Sequence, residues 1–451
     1  MATWLPKPVS TALIAATLTA CSQGGPPPGD TATPSTSERA AASGTPLETA
    51  PAAARVDLVE PVFSDPTNIT NPLFPITTVT QAVQLGMEGD VHLRHEITLL
   101  PETRHIEWNG QQVETIVSQF VAYGDGRLLE TAHDFFAQAD DGSVWYFGED
   151  VFNYQDGVVA NQDGTWLAGR DGPPGMIMPA NPQVGDVYRP ENIPGLVFEE
   201  VTVRAIDETV DGPIGQIQDA VSVREVLMDG VIEDKVFAKG YGEFIAHVAS
   251  EDEFVTIAVA IPPDLRPTPP PAELDVLVSG ARQIFADAPT APGAAMGPTF
   301  DEMTGAWDAY RSSGPPELLG AAMDGALDEL RLSISGGDPA ATRHAAADAL
   351  GAAADLSSQH QSATPADIGR LEQAARQAVV DAEAGDTPAL MGGIAIARAI
   401  WERVGYTIDD TAAAGAFEAA LHRLAESTET ELTLAAADEM VTAVERIASS
   451  Y

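Results

Sequence analysis

Apolar positions along this chain follow two rhythms. From about residue 57 to 262 they fall in short runs rich in Val, Ile, Phe, Tyr and Trp, broken by turn dipeptides, which is the pattern of β-strands. The clearest stretch runs from Asp134 to Gln138, turns at Asp140-Asp141-Gly142, and continues through Ser143–Gly148 and Val151–Tyr154. It turns again at Asp156-Gly157 and at Asp163-Gly164, ahead of Thr165-Trp166-Leu167. Aspartate-glycine supplies the positive φ that tight hairpins demand, so three such signals in succession predict an antiparallel meander. Further strands are predicted at 80–86, 91–99, 103–108, 114–123, 197–206, 216–227, 231–238, 241–248 and 253–260. About a dozen strands with short turns make an antiparallel β sandwich or a barrel-like sheet. The proline- and glycine-rich stretch 170–195 reads as a long loop crossing between strand groups.

Beyond residue 273 the period changes to that of a helix. Leu318, Leu319, Ala322, Met323, Ala326, Leu327 and Leu330 keep one apolar face. Helices are predicted near 273–286, 300–311, 316–334, 339–358, 365–384, 388–404, 410–425 and 429–448. Thr364-Pro365-Ala366-Asp367 reads as an N-cap, a first-turn proline and an N3 acid, and Asp338-Pro339 and Thr387-Pro388 repeat the cap-then-proline pattern. Alanine-rich faces allow close approach in an α-helical bundle. The expected fold class is therefore α+β, a β domain at 56–262 and a helical bundle at 273–451, joined by a proline-rich linker at 263–272.

The N-terminus follows neither rhythm. Lys7 precedes a short apolar run, Val9 to Leu18, that is too short to span a bilayer and closes on Leu18-Thr19-Ala20-Cys21. This tetrapeptide resembles the lipobox of bacterial lipoproteins, in which the cysteine is diacylated and becomes the new N-terminus. Cys21 is the only cysteine in the chain, so the mature protein is expected to have no disulfide and no cysteine metal site. Two acyl chains suffice for stable anchoring. Residues 1–21 are thus expected to be a signal peptide. Residues 22–55, rich in Gly, Pro, Thr, Ser and Ala without periodicity, are expected to be a disordered tether. The implied location is the extracytoplasmic face of a bacterial envelope.

Charge narrows the partners. The chain carries 67 acids against 23 bases, a net charge of −44, with lysine only at Lys7, Lys235 and Lys239. Residues 57–262 hold 35 acids and 9 bases, and residues 263–451 hold 29 and 11, so neither half has a basic face to neutralise phosphates. Nucleic-acid binding is excluded, and attraction to anionic headgroups would not supplement the anchor.

The segments Thr70–Pro75, Trp145–Asp150 and Met178–Asp186 resemble those of a family of bacterial lipoproteins and secreted proteins with no established activity, over roughly 65–260. Pro365–Ile368 and Ala399–Arg403 look similar to helical regions of other bacterial exported proteins. The resemblance implies a β-domain boundary and no mechanism.

Candidate chemistry centres on Trp145, Tyr146, Phe147, Glu149 and Asp150. Alternation puts Trp145 and Phe147 on one face of a strand, with the two acids at its end beside the loop carrying Arg170, Asp171 and Asp186. Trp145, Trp166, Tyr188 and Arg170 are the expected ligand contacts, and Glu149 and Asp150 the catalytic candidates for acid/base hydrolysis of a glycan or lipid. The plainer reading is that the aromatics pack a core and the acids cap turns. No EF-hand spacing supports a Ca²⁺ site, although clustered acids suit that ion. None of the eight histidines has a metal-ligand spacing, and no nucleophile elbow or phosphate loop occurs. The expected function is non-catalytic binding of a ligand or envelope partner; an envelope hydrolase and a structural spacer stay open as alternatives.

Overall fold

Tight turns decide the topology. Asn109-Gly110, Asp125-Gly126 and Asp156-Gly157 each place two successive residues at positive φ (50° and 73°, 49° and 72°, 52° and 77°). This is the geometry of two-residue hairpins, whose twist matches that of the strands they join. The computed structural model describes residues 49–427 and 429–451. Six strands follow one another as hairpins: β1 (Gln81–Glu88), β2 (Val91–Trp108), β3 (Gln111–Gly124), β4 (Arg127–Gln138), β5 (Val144–Gln155) and β6 (Val158–Asn161). Four short strands come next: β7 (Trp166–Leu167), β8 (Gly175–Met178), β9 (Val187–Tyr188) and β10 (Asn192–Ile193). Five longer ones return the chain: β11 (Val197–Gly212), β12 (Gly215–Leu227), β13 (Ile232–Ala238), β14 (Gly242–Val248) and β15 (Glu253–Ile261). β15 pairs with β1, so the order across the sheet is β10 to β15, then β1 to β6. The sheet is antiparallel and curls until distant strands share one core. Phe135, Trp145 and Phe147 on β4 and β5 pack in the same cluster as Val201, Val223 and Phe237 on β11 to β13.

Several expected boundaries shift. β2 runs through Pro101 with only a register slip between Leu99 and Thr103, so the two strands expected at 91–99 and 103–108 are one. β4 begins at Arg127 rather than near 134. The Asp163-Gly164 turn does not extend the meander: β6 and β7 both pair with β5. The loop 170–195 contains β8, β9 and β10. The end of the expected tether is docked. Ala52–Ala54 form a turn of 3-10 helix, Arg55 bridges to Val187, and the Ala50 amide donates to Glu200 at 2.7 Å.

Eight helices follow among the described residues: α1 (Ala272–Asp287), α2 (Gly293–Arg311), α3 (Glu317–Gly336), α4 (Pro339–Ser357), α5 (Ala363–Ala384), α6 (Thr387–Val404), α7 (Thr411–Glu426) and α8 (Thr430–Ala448). Asp338 caps α4 as expected, but α6 is capped by Asp386 rather than Thr387. α2 starts ahead of Pro298 and accepts the loss of one backbone bond. None of the described helices is long and apolar enough to cross a membrane.

The helices cover the outer face of the curled sheet. Val83, Ala258 and Val259 belong to the helical core cluster, and Val121, Tyr123 and Leu128 pack with Ala399 of α6. Gly157 lies so close to α6 that a Cβ there would sit 2.2 Å from the Pro388 carbonyl oxygen. Between these apolar contacts lies a buried ionic network. Arg94 of β2 grips Asp355 of α4 with two bonds, at 2.6 and 2.9 Å, and Arg370 of α5 donates to the same carboxylate at 2.8 Å. Arg403 of α6 donates to Glu96 of β2 at 2.5 Å and to Asp367 of α5 at 3.0 Å. Gln81 of β1 donates to Asp367 and accepts from Arg370. Asp367 is therefore spent on this network and does not serve the helix end; the residue at the N-cap of α5 is Ser362, without a side-chain bond. The proline-rich linker is also tied down, since Asp264 accepts from the Ala260 amide and the Tyr241 hydroxyl, and the Arg266 amide donates to the Gln359 carbonyl.

Removing one member of a buried ion set leaves its partners charged and unpaired. Arg403→Met is expected to lower unfolding stability by about 3–5 kcal/mol in urea titration. Sheet and helices should still melt in one transition; a loss below about 1 kcal/mol would mean the network is solvated.

Candidate functional site: carboxyls inside the curled sheet

The residues singled out by sequence do not form a surface. Trp145, Trp166 and Tyr188 are 4, 0 and 1% exposed. The Trp145 indole donates to Ser143 and the Trp166 indole to Glu191 at 2.7 Å. Tyr146 stacks on Phe136 and meets Trp166 edge-on. The expected ligand-contact surface is thus core, which is where large aromatic side chains on a half-buried strand gain most. Arg170 is exposed and paired with its neighbour Asp171. Glu149 and Asp150 lie within β5, not at its end, and alternation sends them apart. Glu149 stands opposite Asp134 on the inner face, while Asp150 stands opposite His133 on the outer face and holds Arg104 at 2.6 Å. Two carboxyls on opposite sides of a sheet cannot share one substrate as acid and base. Cys21 and the lipobox lie outside the described residues.

What the structure does bring together inside the curl is a band of buried or nearly buried acids, of which sequence reasoning singled out only Glu149 as a candidate. Glu130 and Asp134 come from β4, Glu149 from β5, Glu191 from the β9–β10 connection, Glu199 from β11, Glu225 from β12, Glu233 from β13 and Glu243 from β14. Lys235 of β13 is the cation among them, at 2.7 Å from Glu225, 3.2 Å from Glu233 and 3.6 Å from Glu243. Burial alone would lower the Lys235 ammonium, but Glu225, Glu233, Glu243 and Glu199 hold it well above its ordinary value. One ammonium cannot balance so many carboxylates at low dielectric, so most of them keep their protons. Burial pushes Asp134 and Glu243 up to about 7 and Glu191 up to about 8. It pushes Glu130, Glu149, Glu199 and Glu233 well above the carboxylate range. Both oxygens of Glu149 and one of Glu191 are buried without a hydrogen-bond partner, and each carboxyl raises or is raised by its acidic neighbours. Tyr146 donates to Asp134 at 3.0 Å. Neither oxygen of Glu199 has a hydrogen-bond partner. His95 of β2 faces the same interior, and burial pushes it down to about 3, so it is neutral.

A cavity of about 10 Å³, with room for roughly one water, is lined by Ile177, Tyr188, Glu199, Glu225, Lys235 and Glu243. Among the described residues, no three His, Cys, Asp or Glu side chains are gathered as a metal ion requires. The chemistry on offer is proton binding. Comparison with protein-family models, curated proteins and solved structures gives no match to this chain.

The sign of the pH dependence follows. Glu130, Asp134, Glu149, Glu191, Glu199, Glu233 and Glu243 keep protons that the unfolded chain gives up from about pH 4, so their stabilisation is full below that value. It is lost as pH rises toward about 8. The outer network behaves oppositely. Burial would raise Glu96, yet Arg403, Arg94 and Arg370 hold it far below the carboxylate range, and Asp355 is likewise depressed by Arg94 and Arg370. That contribution is present above the unfolded carboxylate range and disappears as pH falls through the depressed values. His95 adds one opposing group on the acid side. The melting temperature is therefore expected to fall steadily from about pH 5 to about pH 9, with a shallower fall in Glu191→Gln. A profile that rises over that interval would refute the protonated interior.

Proposed function

We propose that this chain is a lipid-anchored extracytoplasmic protein of a bacterial envelope that binds a partner and performs no catalysis. The observation that carries the anchor is the placement of the sole cysteine at the end of Leu18-Thr19-Ala20-Cys21. Against the hydrolase reading, the candidate acids Glu149 and Asp150 diverge across the sheet; the aromatic candidates are packed away, so a partner would contact other, exposed residues. The chain as a whole is strongly acidic, with 67 acids against 23 bases. Such a field steers cationic partners and repels anionic ones, so the envelope component expected is a basic one.

The test is incorporation of radiolabelled palmitate in a bacterial host, followed by fractionation. The full chain should be labelled and sediment with membranes, while Cys21→Ser should be unlabelled and released. Equal labelling or equal sedimentation of both would overturn the anchor.

A further inference from the structure

The curled sheet has a seam. β8 is paired to β5 and β9 to β11, and among the described residues no ladder of hydrogen bonds joins β8 to β9. The two sides meet by close backbone approach: a Cβ on Gly175 of β8 would lie 1.8 Å from the Pro190 carbonyl oxygen, and the Ile193 side chain fills the space over Gly172. A β-strand is held chiefly by its ladder, and here the closure rests on strands of four and two residues.

The carboxyls line up along this seam. Glu149 belongs to the β5 side, Glu191 follows β9, and Glu199 opens β11, with the Glu199 amide donating to the Glu191 carbonyl at 3.1 Å. The cavity lies directly behind, walled by Ile177 of β8 and by Tyr188 and Pro190 on the β9 side. The groups facing these three from the other elements are Glu130, Asp134 and Tyr146 on β4 and β5, Tyr188 on β9, and Glu225, Glu233, Lys235 and Glu243 on β12 to β14. Lys235 is the cation in that set and is already held by Glu225, Glu233 and Glu243. The Trp166 indole donates to Glu191 and Lys235 favours a charge on Glu199, but one neutral donor and one shared ammonium do not balance three carboxylates, and the structure can relieve the repulsion by parting β8 from β9 or by taking in water.

We propose that this seam is a proton-operated gate: with Glu149, Glu191 and Glu199 protonated it is shut, and release of those protons to solvent parts β8 from β9 and opens the cavity behind them. The gate opens on the alkaline side. Its opening leaves β1 to β3 and the helices in place, because the ionic network that joins them is balanced and prefers the charged state.

Thiol labelling tests this in the full chain carrying Cys21→Ser. Three single cysteines are introduced in turn: Val201→Cys behind the seam, Val184→Cys on the exposed turn as a control for thiolate formation, and Ala122→Cys in the wall of β3, remote from the seam. Labelling at position 201, divided by that at 184, should rise at least about tenfold between about pH 6 and about pH 9, while position 122 stays protected. Adding Glu149→Gln and Glu191→Gln, which cannot ionise, should abolish the rise. A flat ratio, an equal rise at 122, or a rise that survives both glutamines would each overturn the gate. Amide exchange of the unsubstituted chain, corrected for its intrinsic pH dependence, gives a second reading. Residues 175–203 should lose protection ahead of β1 to β3, and simultaneous loss would also overturn it.

Discussion

The placement of three guanidinium groups against three carboxylates, between the sheet and the helices, is the constraint on which the rest of this structure depends. Arg94, Arg370 and Arg403 face Glu96, Asp355 and Asp367, each guanidinium donating to at least one of these carboxylates. Each strand or helix that contributes to it is located to within a hydrogen bond. Buried ion sets of this kind are a weak source of net stability but a strict one for geometry, because every misplacement strands a charge. A purely apolar interface of alanine-rich helices would slide; this one has a single register. The consequence is that sheet and helices form one interlocked body, with the linker segment near Asp264 and Arg266 tied to both sides.

The inner face obeys the opposite rule. It has a comparable supply of carboxyls but one cation, Lys235, so charge balance is reached by keeping protons rather than by recruiting arginine. One sheet therefore separates a layer that needs its acids ionised from a layer that needs them neutral. Both states follow from burial; what differs is the number of guanidinium and ammonium groups within reach. Among the described residues, the polar side chains also leave little open volume inside the curl. The space is filled by Trp166, Tyr146 and Tyr188, with Glu191 bonded to Trp166 and Asp134 to Tyr146.

Much of the architecture was legible from local chemistry. The aspartate-glycine turn at 156–157 is a hairpin, the eight helical stretches are helices, and the change of period near 272 marks the change of layer. The signals that misled are equally physical. The predicted break between 99 and 103 spans Pro101, which cannot donate to a ladder, yet the strand continues through it at a register slip. The first half of β4 carries Arg127, Glu130 and His133 and reads as polar, although Glu130 is buried. Alternation reveals that two faces exist but not which one is inside. In Val223-Arg224-Glu225 and Glu233-Asp234-Lys235 the buried charges occupy positions that any sequence argument would give to solvent. Asp367 illustrates the same limit at a helix start: its local pattern fits a cap, and only the distant Arg403 and Gln81 reveal its use.

The acid excess outside and the protonated acids inside are connected. Every exposed carboxylate adds negative potential within the curled sheet and makes a further ionisation there harder, so a surface with so few bases helps keep the interior protons in place. That influence falls off over a Debye length, about 8 Å at physiological ionic strength, whereas neighbours within the buried band are screened far less. Dissolved salt should therefore weaken the contribution of the surface while leaving Glu149, Glu191 and Glu199 coupled to one another. The short-range term is the one tied to the seam. It depends on which carboxyls face each other across β8 and β9, and so on the close backbone approach that Gly175 permits. Whole-protein charge thus tunes how tightly the interior holds its protons, while the local geometry decides where the strain of losing them falls.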